Sequence, residues 1–349
     1  MLAVAIIGLA SGPAWSERWA AWPWLVSLVF VGLPHGAADL AVARRRLDSR
    51  ELARAAAAYL AILVATLAAF IAAPAVVLAA FAILSVWHFG VARGGFAIGI
   101  PLALRPDATT RVASEVAAVV GGHAAFPSAA IRWLGIAILA AAVAAAAREV
   151  TRSFHRDGWR AATGALAETA VIALLAATTD PLFSVGVFFL CWHAWREIPH
   201  LAAEIDASAP LDTTTHRDGE ARGSVQARGA LKLATIRDMN RRRSWKERAS
   251  PRRDVYRPRS RRNASDAWSA LARVHLAALP LLVPTWLALG AAWWLLPESR
   301  VSHSLHGLAI LSIAAYVVVT PAHIAAVSEN VKMAAVRPGR RPARAAHFP

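Results

Sequence analysis

Long apolar runs separated by short polar connections organise this chain. A bilayer core of about 30 Å takes about 20 apolar residues as a helix. About nine windows of that kind can be marked, eight to ten depending on how the shortest are counted: 19–33, 55–73, 74–92, 112–126, 131–147, 161–177, 181–201, 271–296 and 303–327. Backbone groups inside lipid must bond within their own segment, so runs of this length predict helices. The expected fold is an all-α, polytopic transmembrane helical bundle. Residues 1–10 are apolar but carry neither a basic leading segment nor a small-residue cleavage site, and they read as a short leading helix.

The pattern lapses once. Residues 206–267 hold few apolar positions and the run RRRSWKERASPRRDVYRPRSRR, which cannot bury a core. The organisation is therefore 1–205, the first part of the bundle; 206–267, a basic, disordered cytoplasmic loop; 268–330, the rest of the bundle; and 331–349, a basic cytoplasmic tail. The loop reads as a solvated linker or as a segment that meets anionic lipid.

With 57% hydrophobic residues in 349, the chain is too apolar to be soluble unless its apolar positions fall into spans. The net charge of +16 comes from basic residues grouped between windows, not along a face that could follow a phosphate backbone, so no nucleic acid partner is expected. Their placement reports orientation instead. Arginines crowd the connections after the first, third, fifth and seventh windows and the tail, with Arg93, Arg105 and Arg111 in the connection after the third; the other connections hold almost none. Odd windows then run inward, in a multi-pass protein of the cell (cytoplasmic) membrane. A single cysteine, Cys191, excludes a disulfide framework and any multi-cysteine metal site, leaving histidine as the candidate ligand.

The richest chemistry lies in 186–201, GVFFLCWHAWREIPHL, where an apolar run ends in two histidines, an arginine and a glutamate. A charge at the centre of a span costs roughly 2.5–3.5 kcal/mol on insertion scales, so polar groups there mark sites. His193 and Glu197 are four apart and share a helix face; His200 lies beyond Pro199, which disturbs the helix. His35, His88, His193 and His323 all fall near the inner ends of odd windows, whereas His123, after Gly121-Gly122, falls at the other end of an even one. One intramembrane histidine is commonly an interhelical hydrogen-bond partner, but four at one depth can share an ion. Neutral imidazole suits iron, copper or zinc, and open positions suit non-haem Fe(II) oxygen chemistry. Asp39, four after His35, is placed to orient that ring, to cap the helix or to meet Arg44. Arg196 either pairs with Glu197 or is a positive-inside residue. The same histidines would also serve a haem-binding membrane electron carrier or the proton relay of a transporter.

Four motifs in order, GLPHGAAD at 32–39, His88-Phe89-Gly90, Cys191-Trp192-His193 with Arg196, and Thr320-Pro321-Ala322-His323, resemble the Brp/Blh family of membrane-bound beta-carotene dioxygenases, as does His123 after its paired glycines. The resemblance covers about 25–330 and is most specific in its first motif. It implies cleavage of the central 15,15' double bond of beta-carotene by O2 at Fe(2+), giving two all-trans retinals, with a functional link to a rhodopsin-type protein. Carried over, the ligands are His35, His88 and His193, with Asp39, His123 and Arg196 around them and no further catalytic residue. The family's fourth histidine falls on Glu197; Glu197, His323 and His200 remain alternatives for that place, and a carotenoid-binding member that does not cut its ligand is a further alternative.

Overall fold

Alanine-rich apolar windows close their backbone bonds internally, and every described element is helical. The structure is a computed structural model that describes residues 1–122, 126–207 and 264–336; within these, the side chains of His35, Asp39, Arg45, Arg46, Ala194, Glu197, His200, Ala207, 264–267 and 327–336 lie outside the description. His123 and most of the expected basic loop and tail also lie outside the described residues.

The leading helix α1 is Leu2–Ser11. Helix α2 joins Ala21–Ser27, a π-helical stretch Leu28–Gly32, and Leu33–Arg46. It is followed by α3 (Ser49–Ala72), α4 (Pro74–His88), α5 (Val91–Leu104), α6 (Pro106–Val119), α7 (Ser128–Asp157) and α8 (Trp159–Thr178). Helix α9 joins Pro181–Phe188, a second π-helical stretch Phe189–His193, and Ala194–Ala207. Helices α10 (Ala264–Leu295) and α11 (Leu305–Val336) complete the described bundle. Among them, six segments are long and apolar enough to cross a membrane, and four shorter apolar helices accompany them. This is the all-α polytopic bundle expected of a multi-pass membrane protein.

Local chemistry sets the helix starts. Asp48 accepts from the backbone N–H of Arg50 and Glu51 while Glu51 accepts from that of Asp48, so three donors at the head of α3 are satisfied. Asp180 does similar work for α9, accepting from Leu182 and Phe183. The outer face of α3 is apolar and open, with Leu60, Val64 and Ile71 all more than half exposed, as a lipid-facing helix requires.

The first window runs on as helix to Arg46, past its expected end at 33, and the third and fourth differ from expectation most. The third, 74–92, breaks after His88, where Gly90 takes φ 84°, a left-handed conformation that favours glycine. The expected connection beyond it is helix α5, built on VARGGFAIGIPLAL, so Arg93 lies within a helix and is 9% exposed. Small residues make this possible: a Cβ at Gly95 would lie 2.6 Å from Ala142 Cβ, and one at Gly135 would collide with the α5 backbone at Leu102 and Ala103. Helices α5 and α7 therefore pack backbone to backbone, as small-residue seams allow in membranes. The fourth window is helix α6, which starts earlier than expected, at Pro106.

Candidate active site

Each of the four histidine motifs sits on an irregularity in its helix. His35 follows the π-helical stretch of α2 and Pro34, whose ring would crowd the carbonyl one turn back in a regular helix. His88 ends α4 just before the Gly90 break, His193 closes the π-helical stretch of α9, and His323 comes two residues after Pro321 inside α11. Irregular backbone at membrane depth is tolerated where it is buried in protein or lines a cavity. π-Helical turns in particular recur at functional sites.

The described irregularities converge. The His88 ring centroid is 5.4 Å from that of His193 and 5.7 Å from that of His323, with the two pairs of rings meeting edge to face. His193 is 5% exposed and enclosed by Phe89 and Phe189, whose ring centroids lie 4.6 Å and 5.3 Å from its own. All three histidines line a cavity of about 930 Å³ whose other walls are mainly apolar, among them Phe81, Leu102, Ile131, Leu134 and Val185. One edge reaches the outer apolar surface at Val76, which lines the cavity and is 68% exposed. A cavity this large and apolar, with a few polar groups gathered in one place, can take up a long hydrophobic molecule and present it to imidazole nitrogens.

On the other side of α9, beside the histidines, lies a charged cluster. Arg93 bonds Glu168 through Nε (3.0 Å) and Nη2 (2.8 Å) and Glu149 through Nη1 (2.8 Å). Trp192 Nε1 donates to the other Glu168 oxygen at 2.7 Å. Arg196 lies 3.4 Å from that same oxygen, and its guanidinium sits 4.9 Å from the centre of the Trp192 ring. Two guanidiniums and two carboxylates thus balance, and the residue they hold is the immediate neighbour of His193. None of them lines the cavity.

The residue positions read from sequence sort as follows. His88, His193 and His323 are brought together. His35 stands on a stretch of α2 whose flanking residues Leu33 and Gly36 line the cavity, while its own side chain, like those of Asp39, Glu197 and His200, lies outside the description, as does His123 altogether. Arg196 meets Glu168 on α8. Helix α9 runs through Pro199 without ending there. Among the described residues, no group of three or more His, Cys, Asp or Glu side chains is arranged to hold a metal ion. Sequence reasoning missed Glu168, Glu149 and Tyr316. The first two carried a readable signal, as carboxylates in or beside apolar windows; the tyrosine carried none.

The fold and site together define a class: a multi-pass helical membrane protein with a histidine-edged, mainly apolar cavity that reaches its outer apolar surface. The family model described as beta-carotene 15,15'-dioxygenase matches residues 26–237, and the chain belongs to that family. It is similar to the probable beta-carotene 15,15'-dioxygenase Blh of Halobacterium salinarum, with 29% identity over 238 residues, 58% of this chain and 67% of that protein. No solved structure matches the chain.

Proposed function

We propose that this protein cleaves beta-carotene with O2 at the central 15,15' double bond, giving two molecules of retinal, with ferrous iron as its cofactor. The observation that carries the reading is the convergence of His88, His193 and His323 at one part of a mainly apolar cavity of about 930 Å³. A hydrocarbon polyene offers nothing to hydrogen-bond, so its binding must come from apolar walls, and a site reached from the bilayer spares it a passage through water. Phe89 and Phe189 keep water from His193, which strengthens any interaction the imidazole makes.

The donor chemistry fits iron: imidazole suits it, and two imidazoles, those of His88 and His193, already stand edge to face. His35 would join them from α2. Glu197, one turn beyond His193, would complete the set, with His323 as the described alternative and His200 as the other. When bound, ferrous iron supplies the activation of O2; the protein holds it, orients the polyene and excludes water. We place the protein in the cytoplasmic membrane with the 206–267 segment inside, on the arginine pattern.

The test is expression in cells that accumulate beta-carotene, followed by chromatography. Retinal with loss of orange colour supports the reading; carotenoid retained by the purified protein without retinal would mean binding without cleavage, and a Soret band would assign the histidines to haem. For the fourth ligand, Glu197→Gln should lower iron content and retinal yield while Glu197→His keeps both. Full iron in Glu197→Gln together with loss in His323→Ala or His200→Ala would move that role away from Glu197.

A further inference from the structure

Tyr316 stands on α11 two turns before His323, and its ring lines the same cavity. The ring meets Trp24 at 5.7 Å and Phe189 at 6.2 Å between centroids, and Phe189 in turn touches His193. Its hydroxyl is buried and has no hydrogen-bond partner among the described residues. Among the described residues, two other buried polar atoms share that condition, Nε1 of Trp15 and of Trp286, but neither residue lines the cavity. Nearby polar side chains are satisfied: Trp24 Nε1 donates to Ser312 Oγ at 2.7 Å, and Ser312 Oγ donates to the carbonyl of Ala309. A phenylalanine at 316 would fill the same volume without an orphan donor, so the hydroxyl is unexplained by packing.

The space it occupies is made by a glycine. A Cβ at Gly32 would collide with the Tyr316 hydroxyl and approach Phe189 to 3.1 Å. Gly32 opens the motif that carries His35 and also lines the cavity. One glycine thus admits an oxygen atom into an apolar wall near the histidine cluster.

The geometry points to the Tyr316 hydroxyl as the hydrogen-bond donor that receives the oxygen of a polyene aldehyde in this cavity. The inference rests on the carotenoid-cleaving reading. The substrate is a hydrocarbon and cannot accept a bond; each product carries a new carbonyl, which can accept from Tyr316 Oη–H once it leaves the histidines. The tyrosine therefore separates product from substrate by chemistry and not by shape.

The experiment uses the full chain purified in detergent, with all-trans retinal and beta-carotene as probes. Binding is read by quenching of tryptophan fluorescence, and the carbonyl stretch of bound retinal by infrared difference spectroscopy. In the unaltered protein the stretch should lie below its value in an apolar solvent, as a hydrogen-bonded carbonyl requires. In Tyr316→Phe it should return to that value, and the Kd for retinal should rise about 5- to 10-fold, the worth of one ordinary hydrogen bond, while that for beta-carotene stays the same. An unshifted stretch in the unaltered protein, or an equal loss of affinity for both probes in the variant, overturns the role given to Tyr316 and leaves the carotenoid reading standing. Failure of the unaltered protein to bind either probe overturns both.

Discussion

Trp192 and His193 are adjacent in the chain and belong to opposite kinds of surroundings. The indole points into the charged cluster, where Glu168 accepts its N–H and Arg93 and Arg196 lie over its ring at 5.3 and 4.9 Å. The imidazole is packed between phenylalanines at the edge of an apolar cavity, beside that of His88, which in turn meets His323. Polar groups inside lipid are costly in both places, but the cost is met differently. In the first, opposite charges and a hydrogen bond close the account within the protein, which is the work of architecture. In the second, imidazoles are gathered on the wall of a cavity, which is the work of a site. Both residues stand on the π-helical stretch 189–193, where neighbouring side chains leave the helix on different faces.

Several substitutions bear on this contrast. The largest effect is expected at the imidazoles: His88→Ala and His193→Ala should each lose bound iron and reduce retinal yield by more than about 100-fold, since even the partners that orient metal ligands are worth about 10–100-fold. Normal iron content in either variant, by plasma emission spectroscopy, would show that the cavity is not the metal site. On the charged side, Arg93→Met takes from Glu149 its guanidinium and leaves Glu168 to Trp192 and Arg196 alone, and should destabilise the protein by about 1–3 kcal/mol, less than a fully buried pair because both carboxylates are about a third exposed. A thermal melt in detergent checks it, and Arg93→Met with Glu149→Gln should recover part of the loss, since the second change removes the carboxylate that Arg93 no longer pairs.

A smaller and more selective effect is expected of Glu168→Gln. The amide still accepts from Trp192 but no longer balances Arg93, so iron affinity and retinal yield should fall about 10-fold, with Trp192→Phe acting in the same direction. If both variants match the unaltered protein in metal titration, the charged cluster does not position His193. The smallest effect belongs to His306, which pairs with Glu115 at 2.6 Å at the far end of α11, 17 residues or about 25 Å along the axis from His323. Both partners are half exposed, so His306→Ala should change stability by about 0–1 kcal/mol and leave iron unchanged.

The order of residues by itself determined the helical class, because apolar windows of about 20 residues have no other way to satisfy their backbone in lipid. It also singled out His88, His193 and His323, which the structure brings together, and marked three of the four helix irregularities by Pro34, Gly90 and Pro321. The fourth, at 189–193, contains neither proline nor glycine, so nothing local announces it. Tertiary structure alone decided that Arg93 is an interior charge and not a loop residue, because its partners Glu149 and Glu168 are 56 and 75 residues away. It alone set the Tyr316 hydroxyl against Gly32, far apart in the chain and brought together by the packing of α2 on α11. A hydropathy window sums over neighbours in sequence, whereas charge compensation and the shape of a cavity are set by neighbours in space.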